Sequence, residues 1–273
     1  MPAIDPQPRF PSQEVSAALG QHAEFLGAGA FGDTWRVGSE AVKIICKDDY
    51  ELTRLEREIE GLRRVSSPFV VDFRGAIEVH LGGLSRSCLR FEYITGGDVE
   101  GQLKKSRLLP AGESYEFLEG LLEGVRALHE AATIHRDIKP ANIALRDGDW
   151  KRPVILDLGL AKQIDSSTIT VYPGLIGTLT YMAPEQLQGL RARKAADLWA
   201  IGVTVREAIT GAHPFYTSDV RTLDEAMAVL DAGPAPLPEG TPGPVVDVLD
   251  RLASVAEYGR GSVASNLRRL RSC

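Results

Sequence analysis

The sequence predicts an α+β fold in two parts, with strands concentrated before about residue 95 and helices after it. In the first part, short apolar runs alternate with glycine-containing turns, which is typical of hairpins. In the second part, apolar residues recur at three- and four-residue steps, which is typical of amphipathic helices. A chain of 273 residues can bury a substantial core, either as one large domain or as two modest ones.

The composition is that of an ordinary globular protein, with 44% hydrophobic and 25% charged residues. The net charge of −6 gives no reason to expect nucleic acid or a membrane surface as a partner. No run approaches the roughly 18 apolar residues of a membrane span, and the proline-rich start lacks the apolar segment of a secretory signal. Cys46, Cys88 and Cys273 are scattered without metal-ligand spacing, as in a reducing compartment. We therefore expect a cytoplasmic protein.

Three segments are expected along the chain. Residues 1–20 are proline-rich and then weakly helical, which predicts either a mobile arm or a strap along the first part of the fold. The strand-rich part follows. The helix-rich part begins after Thr95-Gly96-Gly97, which we interpret as a flexible break.

The first motif is a G-x-G-x-x-G string formed by Gly27, Gly29 and Gly32. In a dinucleotide-binding fold a helix would open at these glycines, whereas here residues 33–37 and 41–45 continue as two strands around a turn. Glycines let backbone N–H groups approach phosphate oxygens closely. The pattern therefore predicts a hairpin that covers phosphates, and the alternative is a plain glycine-rich hairpin.

Lys43 lies inside the second apolar strand, where a charged side chain needs a partner. The stretch from Glu51 to Val65 carries apolar residues at helical spacing and supplies acidic residues. Glu58 lies at the edge of its apolar stripe. The alternative is that Glu58 faces solvent, as we expect of Glu56 and Glu60.

A strand pair is predicted to begin at Ser67–Val71 and to end at Ser87–Ile94, with Gly82-Gly83 as the turn between. Helical spacing returns from Phe117 to Leu128 and leads directly into the most informative stretch of the chain.

That stretch is His135-Arg136-Asp137-Ile138-Lys139-Pro140-Ala141-Asn142, with Asp157 following fifteen residues after Asn142. Asp137 is suited to accept a proton from a hydroxyl, and Lys139 to neutralise charge on a phosphoryl group. Asn142 and Asp157 offer the oxygen ligands that Mg²⁺ prefers. The apolar run Val154–Leu156 predicts a strand that delivers Asp157. The alternative is a polar turn in an unrelated α/β domain.

A segment rich in hydroxyl side chains, residues 162–179, follows and contains Ser166, Ser167, Thr168, Thr170 and Tyr172. It leads to Thr180-Tyr181-Met182-Ala183-Pro184-Glu185. We interpret the segment as a regulatory loop, and the alternative is that it is only a polar loop. An apolar helix is predicted from Asp197 to Ile209, and shorter helices around 223–231, at Pro244–Ala256 and at Ser262–Leu270.

Taken in order, these motifs resemble those of the eukaryotic-type (Hanks-type) serine/threonine protein kinases, and the alanine-rich composition favours a bacterial member. The resemblance covers about residues 20–270. It implies a bilobal protein-kinase fold, with a small β-rich N-lobe that carries one main helix and a larger helical C-lobe. The implied limits are an N-terminal arm at 1–20, an N-lobe at 21–95 and a C-lobe at 96–273, with the single kinase domain at 21–270.

The resemblance also implies a role for individual residues. Asp137 and Lys139 would be catalytic, and Asn142 with Asp157 would hold Mg²⁺ or Mn²⁺. Glu58 would pair with Lys43. The residues implied to bind ATP are Gly27, Ala28, Gly29, Ala30, Phe31, Gly32, Thr34, Ala41, Lys43, Glu58, Phe91, Glu92, Ile94, Asp98 and Ala144.

Within that set, Phe91 would guard the back of the adenine pocket, the backbone of Glu92 and Ile94 would bond adenine, and Asp98 would reach the ribose. Outside it, the resemblance implies that the Asp197 side chain bonds the backbone of the catalytic loop. It also implies an ion pair between Arg260 and Glu185.

The implied function is transfer of the γ-phosphoryl group of ATP to serine or threonine hydroxyls of a protein substrate. Autophosphorylation within residues 162–179 and a regulatory protein partner are further expectations. Two alternatives stay open: a pseudokinase scaffold that binds nucleotide, and a kinase-fold phosphotransferase that acts on a small molecule. The segment from Gly177 to Glu185 argues against the second, because such relatives generally lack it.

Three departures from the family pattern affect these expectations. The metal motif reads Asp157-Leu158-Gly159, with leucine in place of the usual phenylalanine. Ala141 replaces an acidic residue found in many kinases that prefer basic substrates. Thr34 and Ala144 stand where the family usually has valine and a larger aliphatic residue on either side of adenine. The lost methyl groups, at about 0.8 kcal/mol each, would weaken ATP binding about tenfold.

Overall fold

The computed structural model describes residues 7–29, 32–46, 52–157, 180–216 and 222–272. The chain divides into two compact units. The first combines Met1–Ser66 with Val71–Tyr93, and the second combines Ser67–Val70 with Ile94–Cys273. The first unit is built on a β-sheet and the second mainly on helices, as the sequence predicted.

The first unit contains an antiparallel sheet in which the described strands follow the order β1-β2-β3-β5-β4. Gly82 and Gly83 form the predicted turn between the last two strands. The elements of this unit are α1 (Ser12–Leu19), β1 (Ala23–Ala28), β2 (Gly32–Val37), β3 (Glu40–Ile45), α2 (Leu52–Arg63), β4 (Phe73–Leu81) and β5 (Leu84–Glu92).

The predicted strand at Ser67–Val71 is wrong, because β4 begins only at Phe73. Pro68 has no N–H group to donate to a strand ladder. Instead, the Val70 N–H donates to the Ser67 carbonyl at 3.3 Å and closes a turn around the proline.

Helix α1 covers one face of the sheet. Val15 of this helix is fully buried in a cluster that includes Trp35 and Val42. Side chains alternate across a strand, so Thr34 and Lys43, the chain neighbours of Trp35 and Val42, lie on the opposite face. Burying a valine side chain contributes roughly 1.5–3 kcal/mol. The described part of the N-terminal segment therefore forms the strap rather than the mobile arm.

The second unit is mainly helical, and α4 packs against α6. All the apolar positions predicted between Phe117 and Leu128 are fully buried, which confirms that helix. Its elements are α3 (Val99–Lys104), α4 (Ser114–Glu130), β6 (Ile143–Leu145), β7 (Pro153–Ile155), α5 (Pro184–Leu187), α6 (Lys194–Thr210), α7 (Leu223–Asp231), α8 (Gly243–Leu252) and α9 (Val263–Arg271).

The helix predicted to continue to Ala256 ends earlier, at Leu252. The backbone beyond it bonds a buried arginine instead of continuing the helix. The Arg260 guanidinium donates to the carbonyls of Ser254 and Val255 at 2.9 and 3.1 Å. These carbonyls stabilise a buried charge that the helical pattern alone does not predict.

The segment Thr95–Gly97, interpreted as a break between the two parts, lies at the start of the second unit, and its backbone bonds other residues of that unit. The carbonyls of Thr95 and Gly97 accept hydrogen bonds from the N–H groups of Asp147 and Leu145 at 2.7 and 2.9 Å. Gly96 has φ +112°, and a Cβ atom there would lie 2.1 Å from the Gly148 nitrogen. Glycine is needed at this position because two backbone segments are in contact.

No helix in the described part of the chain is both long enough and apolar enough to cross a lipid bilayer.

The glycines of the hairpin differ in what surrounds them, and this generates a prediction. A Cβ atom on Gly32 would lie 1.8 Å from the Ile44 carbonyl oxygen, whereas one on Gly27 would meet nothing within 4 Å. We expect Gly32→Ala to lower the free energy of unfolding by about 1–3 kcal/mol, as overpacking does. Gly27→Ala is the matched control and should stay within about 0.5 kcal/mol of the wild type. Urea titration of both variants measures the difference, and equal stabilities would contradict the steric argument.

Candidate active site

The structure brings three of the predicted residues together around one carboxylate. Lys139 Nζ donates to Asp137 Oδ2 at 3.0 Å. The Asn142 amide donates to the same oxygen at 3.1 Å and to the Asp137 carbonyl at 2.7 Å. These bonds use only the nitrogen of the amide, so its Oδ1 atom is not engaged by Asp137.

Asp157 is positioned by the backbone next to Asn142. Strand β7 ends at Ile155, which confirms the predicted strand before Asp157. The Leu156 N–H donates to the Asn142 carbonyl at 2.8 Å, and His135 Nε2 donates to the Leu156 carbonyl at 2.8 Å. Asp157 itself is exposed and has φ +46°. One predicted metal ligand, Asn142, is thus bonded through its backbone to Leu156, the residue directly before the other predicted ligand, Asp157.

A buried carboxylate holds the backbone of this loop, as expected. Asp197 in α6 is fully buried and accepts hydrogen bonds from the N–H groups of His135 and Arg136 at 3.0 and 2.8 Å. His129 Nε2 donates to the same carboxylate at 2.8 Å. Arg136 has φ +65°, a conformation that non-glycine residues rarely adopt. The Asp197 bonds stabilise that conformation immediately before Asp137.

The donor set is suited to a hard cation. Among the described residues, no group of three or more histidine, cysteine or acidic side chains could hold a metal. One amide and one carboxylate, Asn142 and Asp157, leave most coordination positions to water and phosphate oxygens. Mg²⁺ is usually bound in this way, so the residues present fit this ion.

The residues of the second unit that were predicted to bind nucleotide lie near the start of α3. Asp98 Oδ1 accepts the Gly101 N–H at 2.7 Å and caps this helix, and burial raises the pKa of the Asp98 carboxyl. Ala144 in β6 is buried and forms a bridge with Asp98. Ile94 is buried as well. The capping role was missed, although an aspartate before a helix is a common signal for it.

In the first unit, the predicted residues lie on neighbouring strands. Thr34 is the strand partner of Lys43, and Ala41 is the partner of Phe91. The Gly29 N–H donates to the Gly32 carbonyl at 2.8 Å and closes the hairpin.

The remaining predicted residues of this unit stand as follows. Gly27 and Ala28 are in β1. Glu92, at the end of β5, accepts the Asp72 N–H through its side chain at 3.1 Å. Ala30, Phe31 and the Glu58 side chain lie outside the described residues, so the pairing of Glu58 with Lys43 stays a prediction.

The segment from Thr180 to Leu187 is anchored by a buried ion pair. Arg260 is fully buried, and its Nη1 and Nη2 atoms donate to the two oxygens of Glu185, both at 2.8 Å. This confirms the expected pair. A buried pair of this kind fixes the position of the elements that it joins more than it adds stability. The hydroxyl-rich residues 162–179, together with Leu158 and Gly159, lie outside the described part of the chain.

A second cluster beside this segment was missed by the sequence analysis. The Tyr181 hydroxyl donates to Glu207 at 2.6 Å, and burial raises the pKa of both groups. His213 Nε2 donates to the Thr180 carbonyl at 3.1 Å, while its Nδ1 accepts the N–H of Tyr216 at 3.0 Å. The available signal was an acidic residue, Glu207, near the end of a largely apolar helix.

The Asp197 contacts predict a loss of stability when one acceptor is removed. In Asp197→Asn, the amide nitrogen cannot accept, so a buried N–H of His135 or Arg136 loses its partner. We expect the free energy of unfolding to fall by about 1–3 kcal/mol. Asp247→Asn, which alters an exposed carboxylate bonded by Arg269, is the control. Equal urea midpoints for wild type and Asp197→Asn would contradict the anchoring role.

His213 predicts a pH dependence of stability. Burial lowers the pKa of this side chain from 6.5 to about 4, so between these values the unfolded chain binds a proton that the folded chain does not. Stability should therefore fall as the pH drops through this window, by about 3 kcal/mol in total. His213→Phe should lose this part of the pH dependence, whereas His80→Phe, which alters an exposed histidine, should keep it. Identical pH profiles for the two variants would refute the assignment.

Comparison with known proteins is consistent with this geometry. Residues 21–268 match the family model described as protein kinase domain. The probable serine/threonine-protein kinase PkwA of Thermomonospora curvata is 32% identical over 224 residues, which cover 78% of this chain and 29% of that protein. The inhibitor of nuclear factor kappa-B kinase subunit beta of Rattus norvegicus is 34% identical over 223 residues, covering 76% of this chain and 29% of that protein.

Among solved structures, the crystal structure of Rad53 1-466 in complex with AMP-PNP matches with a TM-score of 0.70 and 25% identity, covering 90% of this chain and 63% of that one. The chain thus spans about 29% of the length of the first two curated relatives. The fold prediction is confirmed, with a β-rich N-terminal unit and a helical C-terminal unit. On the family match and the similarity to these relatives, the chain belongs to the protein kinase family.

Proposed function

We propose that the chain is an ATP-dependent serine/threonine protein kinase. The observation that carries the proposal is the Asp137 carboxylate, which is bonded by Lys139 and Asn142 in a loop anchored by Asp197. A carboxylate held in this way can orient a hydroxyl group and accept its proton. The family membership and the similarity to PkwA of Thermomonospora curvata, a probable serine/threonine-protein kinase, support the same activity.

Most of the catalysis would come from positioning and electrostatics, because phosphoryl transfer asks for little covalent chemistry from the protein. Asp137 would hold the substrate hydroxyl in line with the γ-phosphorus and take its proton as the new P–O bond forms. The Nζ atom of Lys139 lies 3.0 Å from Asp137 Oδ2 and would donate to oxygens of the phosphoryl group during transfer. The bond from the γ-phosphorus to the β–γ bridging oxygen breaks, and ADP leaves.

Asn142 and Asp157 would hold Mg²⁺, which when bound would neutralise charge on the phosphate oxygens. The arrangement of these two residues supports this role, since the Asn142 amide bonds Asp137 through nitrogen. Its oxygen then remains for a metal ion. Mn²⁺, with the same preference for oxygen ligands, would fit the same pair.

ATP would be bound by the glycine-rich hairpin, by Lys43 with Glu58, and by the predicted adenine-contacting residues around Phe91. The Rad53 structure, which was determined with AMP-PNP, supports ATP as the nucleotide. The small side chains at Thr34 and Ala144 leave the expectation of weaker ATP binding in place. Ala144 is buried, so a larger residue there would alter packing as well as affinity.

The substrate would be a protein, received by the anchored segment from Thr180 to Glu185. The buried pair between Glu185 and Arg260 supports this, because a docking surface needs a fixed backbone. Autophosphorylation within residues 162–179 and a regulatory partner are part of the same proposal. A cytoplasmic location is also proposed, on the basis that Cys46 and Cys88 are free thiols.

The proposal predicts the behaviour of Asp137→Asn. Without the proton acceptor, turnover should fall by at least about a hundredfold, while binding of Mg-ATP should be largely retained. Asp149→Asn is the control, because Asp149 is a partly exposed carboxylate of the same unit, and its Oδ1 accepts the nearby N–H of Lys151.

The measurement is incorporation of labelled γ-phosphate into casein and into the chain itself, followed by identification of the modified amino acids. Phosphoserine or phosphothreonine in the wild type and in Asp149→Asn, but not in Asp137→Asn, is expected. Full activity of Asp137→Asn would refute the assigned role. Nucleotide binding without phosphoryl transfer by the wild type would favour the scaffold alternative.

A further inference from the structure

The strap, defined here as residues 7–20, precedes residues 21–268 that match the kinase family. It is nevertheless built into the first unit. Val15 is fully buried in the core of the sheet, and the ring of Phe10 packs against the same core. The Arg86 guanidinium lies 5.1 Å from the centre of the Phe10 ring, and Glu14 accepts the Gly82 N–H at 3.0 Å. The strap is thus fixed at the β4–β5 turn.

At its other end the strap contacts the glycine-rich hairpin through Arg9. The Arg9 guanidinium forms an ion pair with Asp33 through Nη1, and the Arg9 backbone N–H donates to the other carboxylate oxygen at 2.6 Å. Arg9 Nη2 donates to the Gly29 carbonyl at 2.8 Å. A single arginine therefore joins the β1 side of the hairpin, at Gly29, to the β2 side, at Asp33.

The Asp33 carboxylate needs the partner that Arg9 provides, because Asp33 is buried. The Asp33 side chain is fully buried, while 41% of the Arg9 side chain is exposed. A buried carboxylate that loses its partner is costly. Asp33 directly follows Gly32, whose backbone lies against Ile44, so the carboxylate cannot easily turn away from the hairpin.

The contact with Gly29 bears on phosphate binding. The hydrogen bond to the Gly29 carbonyl and the ion pair with Asp33 hold the described backbone on either side of the glycine-rich turn. The N–H groups of a glycine-rich turn bind phosphate only when they point toward it. Fixing this turn before nucleotide arrives lowers the ordering cost of binding.

We propose that Arg9 is a positioning residue for nucleotide, which holds the glycine-rich hairpin in its binding conformation through Asp33 and the Gly29 carbonyl. This inference rests on the proposed function, because it concerns the affinity for ATP. Arg9 acts on the hairpin and not on the reacting atoms, so its loss should change the KM for ATP far more than kcat.

The experiment compares Arg9→Ala, Asp33→Asn and the double variant with the wild type. The Kd for Mg-AMP-PNP is measured by calorimetry and the KM for ATP by steady-state kinetics, well below the melting temperature of each variant. We expect both constants to rise about tenfold in Arg9→Ala, equivalent to about 1.4 kcal/mol. The double variant should be no weaker than the worse single variant, because both changes remove one interaction.

Arg269→Ala is the matched control. Arg269 forms a two-bond ion pair with Asp247 in the second unit, with an exposed fraction similar to that of Arg9. Its loss should leave the Kd and KM unchanged. Arg9→Lys is a second variant in case Arg9→Ala does not fold. A lysine keeps the charge but lacks the two separate nitrogens through which Arg9 bonds Asp33 and Gly29. The KM of Arg9→Lys for ATP should therefore lie between those of the wild type and Arg9→Ala.

Hydrogen exchange of the Gly29 amide, measured without nucleotide, gives a readout that does not depend on activity. In the wild type this N–H is bonded to the Gly32 carbonyl, and we expect its exchange rate to be higher in Arg9→Ala. A lower melting temperature in Arg9→Ala with unchanged Kd, KM and exchange would show a purely structural role and overturn the inference. If the wild type binds no Mg-AMP-PNP, the proposed function itself is overturned. If the wild type and Arg9→Ala bind it equally, only the inference about Arg9 is overturned.

Discussion

The arrangement of the candidate active site depends on one buried carboxylate. Asp197 accepts the N–H groups of His135 and Arg136 and the ring N–H of His129. These bonds offset the cost of the positive φ angle at Arg136 and so set the direction in which the chain continues to Asp137. The side chains of Asp137 and Lys139 are 24% and 25% exposed, whereas the Asp197 carboxylate that places them is fully buried in a helix.

A similar division appears around Glu185 in the helical unit. Glu185 would belong to a surface that receives substrate, and its carboxylate is bonded by an arginine that solvent does not reach. The Arg260 guanidinium also donates hydrogen bonds to the backbone carbonyls of Ser254, Val255 and Ala195. Several chain segments thus meet at one guanidinium. In both places the fold stabilises a candidate functional segment by satisfying a buried charge completely.

The sequence was sufficient to predict a site where the chemistry of the residues and their spacing along the chain indicate the same role. The residues around Asp137 could be assigned because a carboxylate, a lysine and an amide at short fixed spacing are suited to phosphate and metal chemistry, and the structure brings them together. The sequence was insufficient where the local structure depends on contacts between segments that are far apart along the chain. The glycines of Thr95–Gly97 indicated a break, but not that its carbonyls accept the N–H groups of Leu145 and Asp147, which lie far along the chain. The capping of α3 by Asp98 is different, because it is a local contact and an aspartate directly before a helix is a common signal for it.

The strap also changes what counts as the minimal folded unit. Residues 21–268 match the family, yet the sheet face that carries Trp35, Val42 and Ile44 is covered by Val15 from outside that range. A chain trimmed to the family limits would present a contiguous apolar surface to water, and such surfaces promote aggregation. Poor solubility of a trimmed chain would then reflect the missing cover rather than an unstable kinase core. Expression boundaries for this protein are therefore better chosen from the sheet that must be covered than from the extent of the family match.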